Sequence, residues 1–176
     1  MDQASPGTPM VGLLLSETPA TKEKAMSTER MPNPAVLIPE AMEALMAVNR
    51  VIAGAGVDGK LLALTHLRAS QINGCGPCVT GGVHQATHHG ATADQVHAVV
   101  AWRETPWFSD EERAALALTE AVTRLADQPD PVPDQVWDVA AKHFDQMELA
   151  ALLLNIAIAN AFNRLNVPTR QQSGKW

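Results

Sequence analysis

Signals that begin and end helices recur along the chain from about residue 33 onward, and they constrain its fold more than any other feature. Three capping boxes, each a Ser, Thr or Asp followed three residues later by Glu or Gln, begin at Thr92, Ser109 and Asp145. Apolar residues between such signals recur with helical spacing, and the sequence contains no run of alternating β-branched residues and no hairpin turn. The sequence therefore predicts an all-α fold.

Glycines and prolines mark further helix boundaries. Pro39 begins a helix that ends at Gly54, a second helix ends at Asn73 and Gly74, and a third contains both cysteines and ends before Gly90. The remaining predicted helices span 93–102, 110–125, 133–144 and 149–165.

The N-terminal 30 residues differ from the rest in composition. They are rich in Ser, Thr, Pro, Ala and Gly and show no sustained periodicity. We expect residues 1–30 to be a flexible extension, with an ordered arm lying on a partner subunit as the alternative. Residues 31–176 are expected to form one all-helical domain.

Charge and hydropathy exclude some classes of function. A net charge of −6 disfavours nucleic acid as a partner, because phosphate binding requires a basic surface. No uncharged apolar run reaches the roughly 18 residues of a membrane span. The most apolar segment, 149–161, contains Asn155 and Asn160 and is predicted to be a buried core helix. The N-terminus lacks the features of a signal peptide, so we expect a cytoplasmic protein.

The only two cysteines of the chain, Cys75 and Cys78, are three residues apart in a Cys-Gly-Pro-Cys motif. One interpretation is half of a structural zinc site, but no second cysteine pair exists, and a helix would distribute His84, His88 and His89 over different faces. A second is a pair of inert buried thiols. A thioredoxin fold, which shares the motif, is excluded because it requires strands on both sides.

Redox activity is the interpretation that we favour for this pair. Cys75 is predicted at the start of a helix and Cys78 in its first turn, where unpaired N–H groups and the helix dipole stabilise a thiolate. Such a thiolate attacks a peroxide or a disulfide, and the neighbouring thiol resolves the product into a Cys75–Cys78 disulfide. No metal or cofactor is required.

Several segments resemble the alkylhydroperoxidase D-like branch of the carboxymuconolactone decarboxylase family. They are LRASQINGCGPCV at 67–79, AWRET at 101–105, FSDEERAALALTEA at 108–121 and NRLNV at 163–167. The resemblance implies an all-helical domain that assembles into trimers or hexamers. It also implies peroxide reduction in which Cys78 attacks and Cys75 resolves, with a dithiol donor, in some members a lipoyl-bearing protein.

The chain departs from the family pattern at the proton relay that activates the nucleophile. Active members carry a His where this chain has Gly82, and a Glu where it has Ala63. His66, one helical turn after Ala63, is a candidate replacement. His84 is a second candidate if the helix is interrupted at its two adjacent glycines, a pair that we also expect to leave open space beside Cys78.

We therefore predict a thiol-dependent peroxidase with Cys78, Cys75, His66 and His84 as candidate catalytic residues. The alternatives are a thiol–disulfide oxidoreductase, a non-catalytic redox sensor and a decarboxylase-type lyase, the last of which does not depend on a CxxC motif. Glu120, in the middle of an apolar helical segment, is expected to pair with Arg124 or Arg68.

Overall fold

The computed structural model describes residues 28–174, and every regular element in that range is a helix. The elements are α1 (Pro34–Leu37), α2 (Pro39–Ala53), α3 (Gly59–Ile72), α4 (Gly76–His88), α5 (Ala93–Ala98), a 3-10 helix (Val99–Glu104), α6 (Asp110–Thr123), α7 (Asp134–His143) and α8 (Gln146–Thr169). The prediction of an all-α fold is confirmed. Most of the expected N-terminal extension lies outside the described residues.

Helix α3 lies at the centre of the fold and packs against α4, α6 and α8. Its leucines divide between two groups of buried side chains. Leu61 belongs to a core formed mainly with α6, α7 and α8, whereas Leu64 and Leu67 face α4, α5 and the 3-10 helix. All three leucines are essentially inaccessible to solvent, so α3 cannot shift without disturbing both cores.

The predicted caps form as expected. The side chains of Thr92, Ser109 and Asp145 each accept a hydrogen bond from a backbone N–H in the first turn, and in each case the third helical residue bonds back to complete the capping box. These contacts satisfy N–H groups that have no partner inside the helix, which explains why the beginnings of these helices were predictable from short motifs.

Several boundaries differ from the sequence prediction, and the end of α8 and the segment after α5 differ most. Helix α8 continues to Thr169, four residues beyond the predicted end, and Pro168 is accommodated in its last turn. The helix ends at Arg170, which adopts a left-handed conformation with φ of 57°. After α5, the non-helical backbone of Ala101 produces a tighter and less regular segment instead of a continuous helix.

Helix α8 is long and apolar enough, by length and composition alone, to cross a membrane. It is nevertheless a core helix of this fold, because it packs on α3, α2 and α6. Three asparagines, Asn155, Asn160 and Asn163, are buried on it and form hydrogen bonds with other helices. The expectation that segment 149–161 is a core helix agrees with this packing.

A buried carboxylate joins α6 to its neighbours. Glu120 forms ion pairs of 2.6 Å with both Arg68 of α3 and Arg103 of the 3-10 helix, and Trp102 Nε1 donates to it at 3.1 Å. Burial alone would raise the pKa of the Glu120 carboxyl, but the hydrogen bonds from these three residues lower that pKa below its usual value. The predicted pairing with Arg68 is thus confirmed, and Arg124, the other predicted partner, also lies 3.6 Å from Glu120.

Candidate active site

The CxxC pair stands at the N-terminus of α4, as the sequence predicts. Cys75 is the N-cap residue, and its sulfur accepts a hydrogen bond of 3.4 Å from the Cys78 N–H. The two sulfurs are joined in a disulfide. Gly74, with φ of +65°, provides the turn that leads from α3 into this position, and a side chain there would be strained.

A network of side-chain amides fixes the turn before the cysteines. The amide of Asn73 donates to Asn160 Oδ1 at 2.9 Å and to Asn163 Oδ1 at 2.8 Å, both on α8. Asn163 in turn donates to Ser70 Oγ at 3.1 Å, and the Ser70 carbonyl accepts from the Cys75 N–H at 3.0 Å. The cysteine pair is therefore held by hydrogen bonds to two helices besides its own.

The two sulfur-bearing residues differ in accessibility. Cys75 is completely buried, whereas Cys78 retains 7% of its surface and lines a cavity of about 670 Å³. Helices α2, α4 and α8 supply most of the cavity wall, and Met42, Met46 and Phe162 give it apolar surface. A molecule entering from solvent thus reaches the disulfide from the side of Cys78.

His66 lies on α3 and also lines this cavity. Burial lowers the pKa of its imidazole below the usual value, and a hydrogen-bonding interaction with the Cys78 backbone acts in the opposite direction with a smaller effect. The imidazole is consequently neutral near pH 7 and able to accept a proton. A second cavity, of about 600 Å³, shares Met46, Asn49, His66 and Phe162 with the first, so His66 stands where the two meet.

The expectation that both glycines leave open space beside Cys78 is half wrong. A Cβ atom built on Gly82 would lie 3.1 Å from the Cα of Leu67, because α3 and α4 approach each other closely at this point. A Cβ on Gly81 would meet nothing within 4 Å, and Gly81 borders the cavity. Gly82 is therefore a helix-packing residue, and only Gly81 opens space toward the site.

His84 is not brought to the site. Helix α4 runs without interruption from Gly76 to His88, so the break at Gly81 and Gly82 on which this candidate depended does not occur. The side chain of His84 is exposed and is absent from the walls of the cavity at Cys78.

The zinc interpretation also lacks a site. Among residues 28–174, no three His, Cys, Asp or Glu side chains are grouped so that they could hold a metal ion. His89 packs over Gly59, where its ring would lie 2.6 Å from an added Cβ, and His88 lies in the last turn of α4. Both histidines thus lie at the C-terminal end of α4.

Asn166 is a site residue that the sequence analysis did not single out. Its amide Nδ2 donates to Cys78 Sγ at 3.3 Å, and its Oδ1 accepts from Asn33 Nδ2 at 2.6 Å. The only sequence signal was its place in the NRLNV segment, which carried part of the family resemblance without implying a role for this asparagine.

Comparison with protein families and curated proteins agrees with this architecture. The sequence model of the carboxymuconolactone decarboxylase family matches residues 39–121. The uncharacterized protein YdfG of Bacillus subtilis strain 168 is 29% identical over 131 residues, which are 74% of this chain and 88% of YdfG. The uncharacterized protein YnjA of Escherichia coli strain K12 is 33% identical over 110 residues, which are 62% of this chain and 59% of YnjA.

Solved structures show the same fold. A protein of unknown function from Agrobacterium tumefaciens, with a suggested role as the antioxidant defence protein AhpD, is 32% identical with a TM-score of 0.77, and the match covers 85% of this chain and 100% of that one. The debrominase Bmp8, solved in its apo form, is 21% identical with a TM-score of 0.71, covering 80% of this chain and 74% of Bmp8. At that identity, the likeness to Bmp8 is one of fold alone.

Proposed function

Because this chain belongs to the carboxymuconolactone decarboxylase family, we propose that it is a thiol-dependent peroxidase in which Cys78 attacks the substrate and Cys75 resolves the product. One observation carries the proposal. Cys78 lines a cavity that opens to solvent, while the cysteine bonded to it is completely buried. This asymmetry supports an attacking role for Cys78 and a resolving role for Cys75.

The chemistry follows from the reduced pair. The Cys78 thiolate attacks the distal oxygen of a hydroperoxide, the O–O bond breaks, and the departing alkoxide takes up a proton to leave as an alcohol. Cys78 is left as a sulfenic acid. The Cys75 thiol then displaces its hydroxyl as water and forms the disulfide, so the two-electron oxidation of the pair balances the two-electron reduction of the peroxide.

His66 is the proposed base for the first step. Its lowered pKa leaves the imidazole neutral near pH 7, and its side chain lines the same cavity as Cys78. It can take the thiol proton and return it to the alkoxide. A His–Glu relay cannot form around Cys78 because Gly82 and Ala63 occupy the corresponding positions.

The cavity favours an organic hydroperoxide over hydrogen peroxide. Val36, Met42, Met46 and Phe162 contribute apolar walls, and a volume of about 670 Å³ is within the range of small-molecule sites. Burying an apolar tail against these walls would contribute roughly 25 cal/mol per Å² of area removed from water, which the hydrogen peroxide molecule cannot gain.

Regeneration requires a dithiol small enough to enter the same cavity, and a lipoyl group is a candidate donor. One donor thiolate attacks the Cys78 sulfur, because the Cys75 sulfur is buried, and Cys75 leaves as a thiolate that takes up a proton. The second donor thiol then releases Cys78 and closes the donor into a cyclic disulfide. We expect the reaction to take place in the cytoplasm and to need no metal.

The test uses purified protein, cumene hydroperoxide and dihydrolipoamide. Wild-type protein should consume both reagents with equal stoichiometry, and the Cys78→Ser variant should consume neither. With dihydrolipoamide omitted, the Cys75→Ser variant should reduce one equivalent of hydroperoxide and accumulate a sulfenic acid on Cys78, detected by mass spectrometry after reaction with dimedone. A wild-type protein that leaves the hydroperoxide untouched, or a Cys78→Ser variant that still turns over, would falsify the proposal.

Thiol–disulfide exchange is a second candidate, favoured by the absence of the His–Glu relay at Gly82 and Ala63. A disulfide substrate has a thiolate leaving group and needs less proton transfer than an alkoxide. The placement of Cys78 in a cavity favours small disulfides over protein disulfides. Rapid reduction of lipoamide or cystine, with no reduction of hydroperoxide, would establish this activity instead, and reactivity without turnover would indicate a redox sensor.

A further inference from the structure

We propose that Asn166 is a catalytic group that stabilises the Cys78 thiolate by donating a hydrogen bond to its sulfur, and that Asn33 is the positioning residue that orients it. The proposal rests on the peroxidase function above and deepens it. The hydrogen bond from Asn166 would stabilise the nucleophile in a chain that lacks the His–Glu relay.

The direction of the hydrogen bonds is fixed by the backbone. The Ala35 N–H can only donate, and it donates to Asn33 Oδ1 at 2.8 Å. Asn33 must therefore present its amide nitrogen to Asn166, where it donates to Oδ1 at 2.6 Å. This contact leaves the Asn166 Nδ2 to face Cys78 Sγ at 3.3 Å. A flipped amide at either asparagine would set two acceptors or two donors against each other.

The interaction strengthens when the sulfur carries charge. A hydrogen bond to an ionised acceptor is roughly twice as strong as one between neutral groups. The donor thus favours the thiolate over the thiol, both before attack on the substrate and when Cys78 leaves the mixed disulfide. Because Asn166 does not titrate, it supplies this stabilisation at every pH.

Within residues 28–174, few charged side chains lie near Cys78 that could stabilise its thiolate in place of the Asn166 amide. Among the described residues that line the cavity, the titratable side chains other than Cys78 are His66 on α3 and Glu29, which lies before α1. Glu29 Oε1 accepts from Gln171 Nε2 at 3.2 Å. No lysine or arginine lines this cavity, so the described wall offers the thiolate no cationic partner apart from a protonated His66.

The first test measures ionisation of the Cys78 thiol by its absorbance at 240 nm in a Cys75→Ser background. Replacing Asn166 with the near-isosteric Leu should reduce the ionisation constant roughly tenfold, shifting the titration midpoint about one pH unit upward. Asn49→Leu is the matched control, because Asn49 lines the same cavity and its amide contacts Met46 instead of the cysteine. An Asn166→Leu midpoint equal to that of the control overturns the proposal.

The second test isolates positioning. In the Asn33→Asp variant, the carboxylate can still accept from the Ala35 N–H but can no longer donate to Asn166. The carboxylate and Asn166 Oδ1 would then be two acceptors facing each other, so Asn166 should turn its Nδ2 away from Cys78, and the midpoint should rise. Adding Asn166→Leu to Asn33→Asp should then produce less than the sum of the two shifts.

These measurements separate the two proposals. They require no turnover, so the expected shifts in a protein that reduces no hydroperoxide would support the role of Asn166 and remove only the peroxidase function. Normal hydroperoxide turnover by the wild type, together with unchanged midpoints in both variants, would remove the role of Asn166 alone. Additive shifts in the double variant would reject Asn33 as the positioning residue.

Discussion

Burial changes the acid–base behaviour of His66. Desolvation lowers the pKa of its imidazole, while the interaction with the Cys78 backbone opposes that shift. The side chain thus binds a proton less readily in the folded protein than in the unfolded chain.

The stability prediction follows from linkage. The contribution of neutral His66 to the free energy of unfolding should be complete above pH 6.5, the usual pKa of a histidine. It should decline as the pH falls from 6.5 to the lower pKa that His66 has in the folded protein. His66→Gln should remove this part of the pH dependence. Urea unfolding between about pH 5 and 8 measures it, with the exposed His84→Gln as the control, and equal slopes in His66→Gln and wild type would contradict the prediction.

The same variant should affect chemistry. We expect His66→Gln to slow the reaction of Cys78 with cumene hydroperoxide at pH 7 by roughly 10²-fold, because a positioned base contributes about that much. Stopped-flow measurement of single-turnover oxidation isolates this step from reduction by the donor. An unchanged rate would assign the proton transfer to solvent.

At the scale of helices, the contact between α3 and α4 limits what can be rebuilt at the site. The position at which active relatives carry a His is filled here by Gly82, which packs against the backbone of Leu67. Gly82 therefore allows α3 and α4 to pack closely. A larger residue at this position would force the two helices apart, which the sequence alone did not reveal.

Gly82→His should therefore destabilise the fold by about 1–3 kcal/mol, the range for overpacked cores. Gly81→His, in a position with open space on the cavity side, should be tolerated and should gain helix propensity relative to glycine. Thermal unfolding of the two variants makes the comparison. Equal melting temperatures would show that α3 and α4 separate without cost.

The elements that could be predicted are those specified by local contacts. Capping boxes and glycine turns act over three or four residues, so a short sequence window contains the whole interaction. The continuation of α8 through Pro168 and the 3-10 segment at Ala101 depend on packing that no such window contains. The same distinction holds at the site. The cysteines could be identified from a four-residue motif, whereas Asn166 contacts Cys78, 88 residues away in the sequence, and Asn33, 133 residues away.

For the whole molecule, the exposed apolar surface predicts assembly. Helices α1 and α2 and the residue between them carry Val36, Leu37, Ile38 and Val51, which are 62%, 54%, 57% and 67% exposed. Soluble monomers rarely expose this much apolar surface on neighbouring elements. Together with the family resemblance, this surface leads us to expect a homo-oligomer.

Sedimentation velocity tests the expectation. Wild-type protein should sediment as a trimer or hexamer, and a Val36→Asp/Val51→Asp double variant should shift toward the monomer without losing helical circular dichroism. A matched variant at exposed Leu125, away from α1 and α2, should leave the sedimentation coefficient unchanged. A monomeric wild type would contradict the prediction.

The two ends of the described chain meet beside the reactive cysteine. The Arg30 N–H donates to the Thr169 carbonyl at 2.9 Å, Gln171 Nε2 donates to the Met31 carbonyl at 2.8 Å, and both Glu29 and Gln171 line the cavity. A reductase module fused directly before residue 28 or directly after residue 174 would therefore be tethered close to the disulfide, where its effective concentration reaches the millimolar range for a short linker.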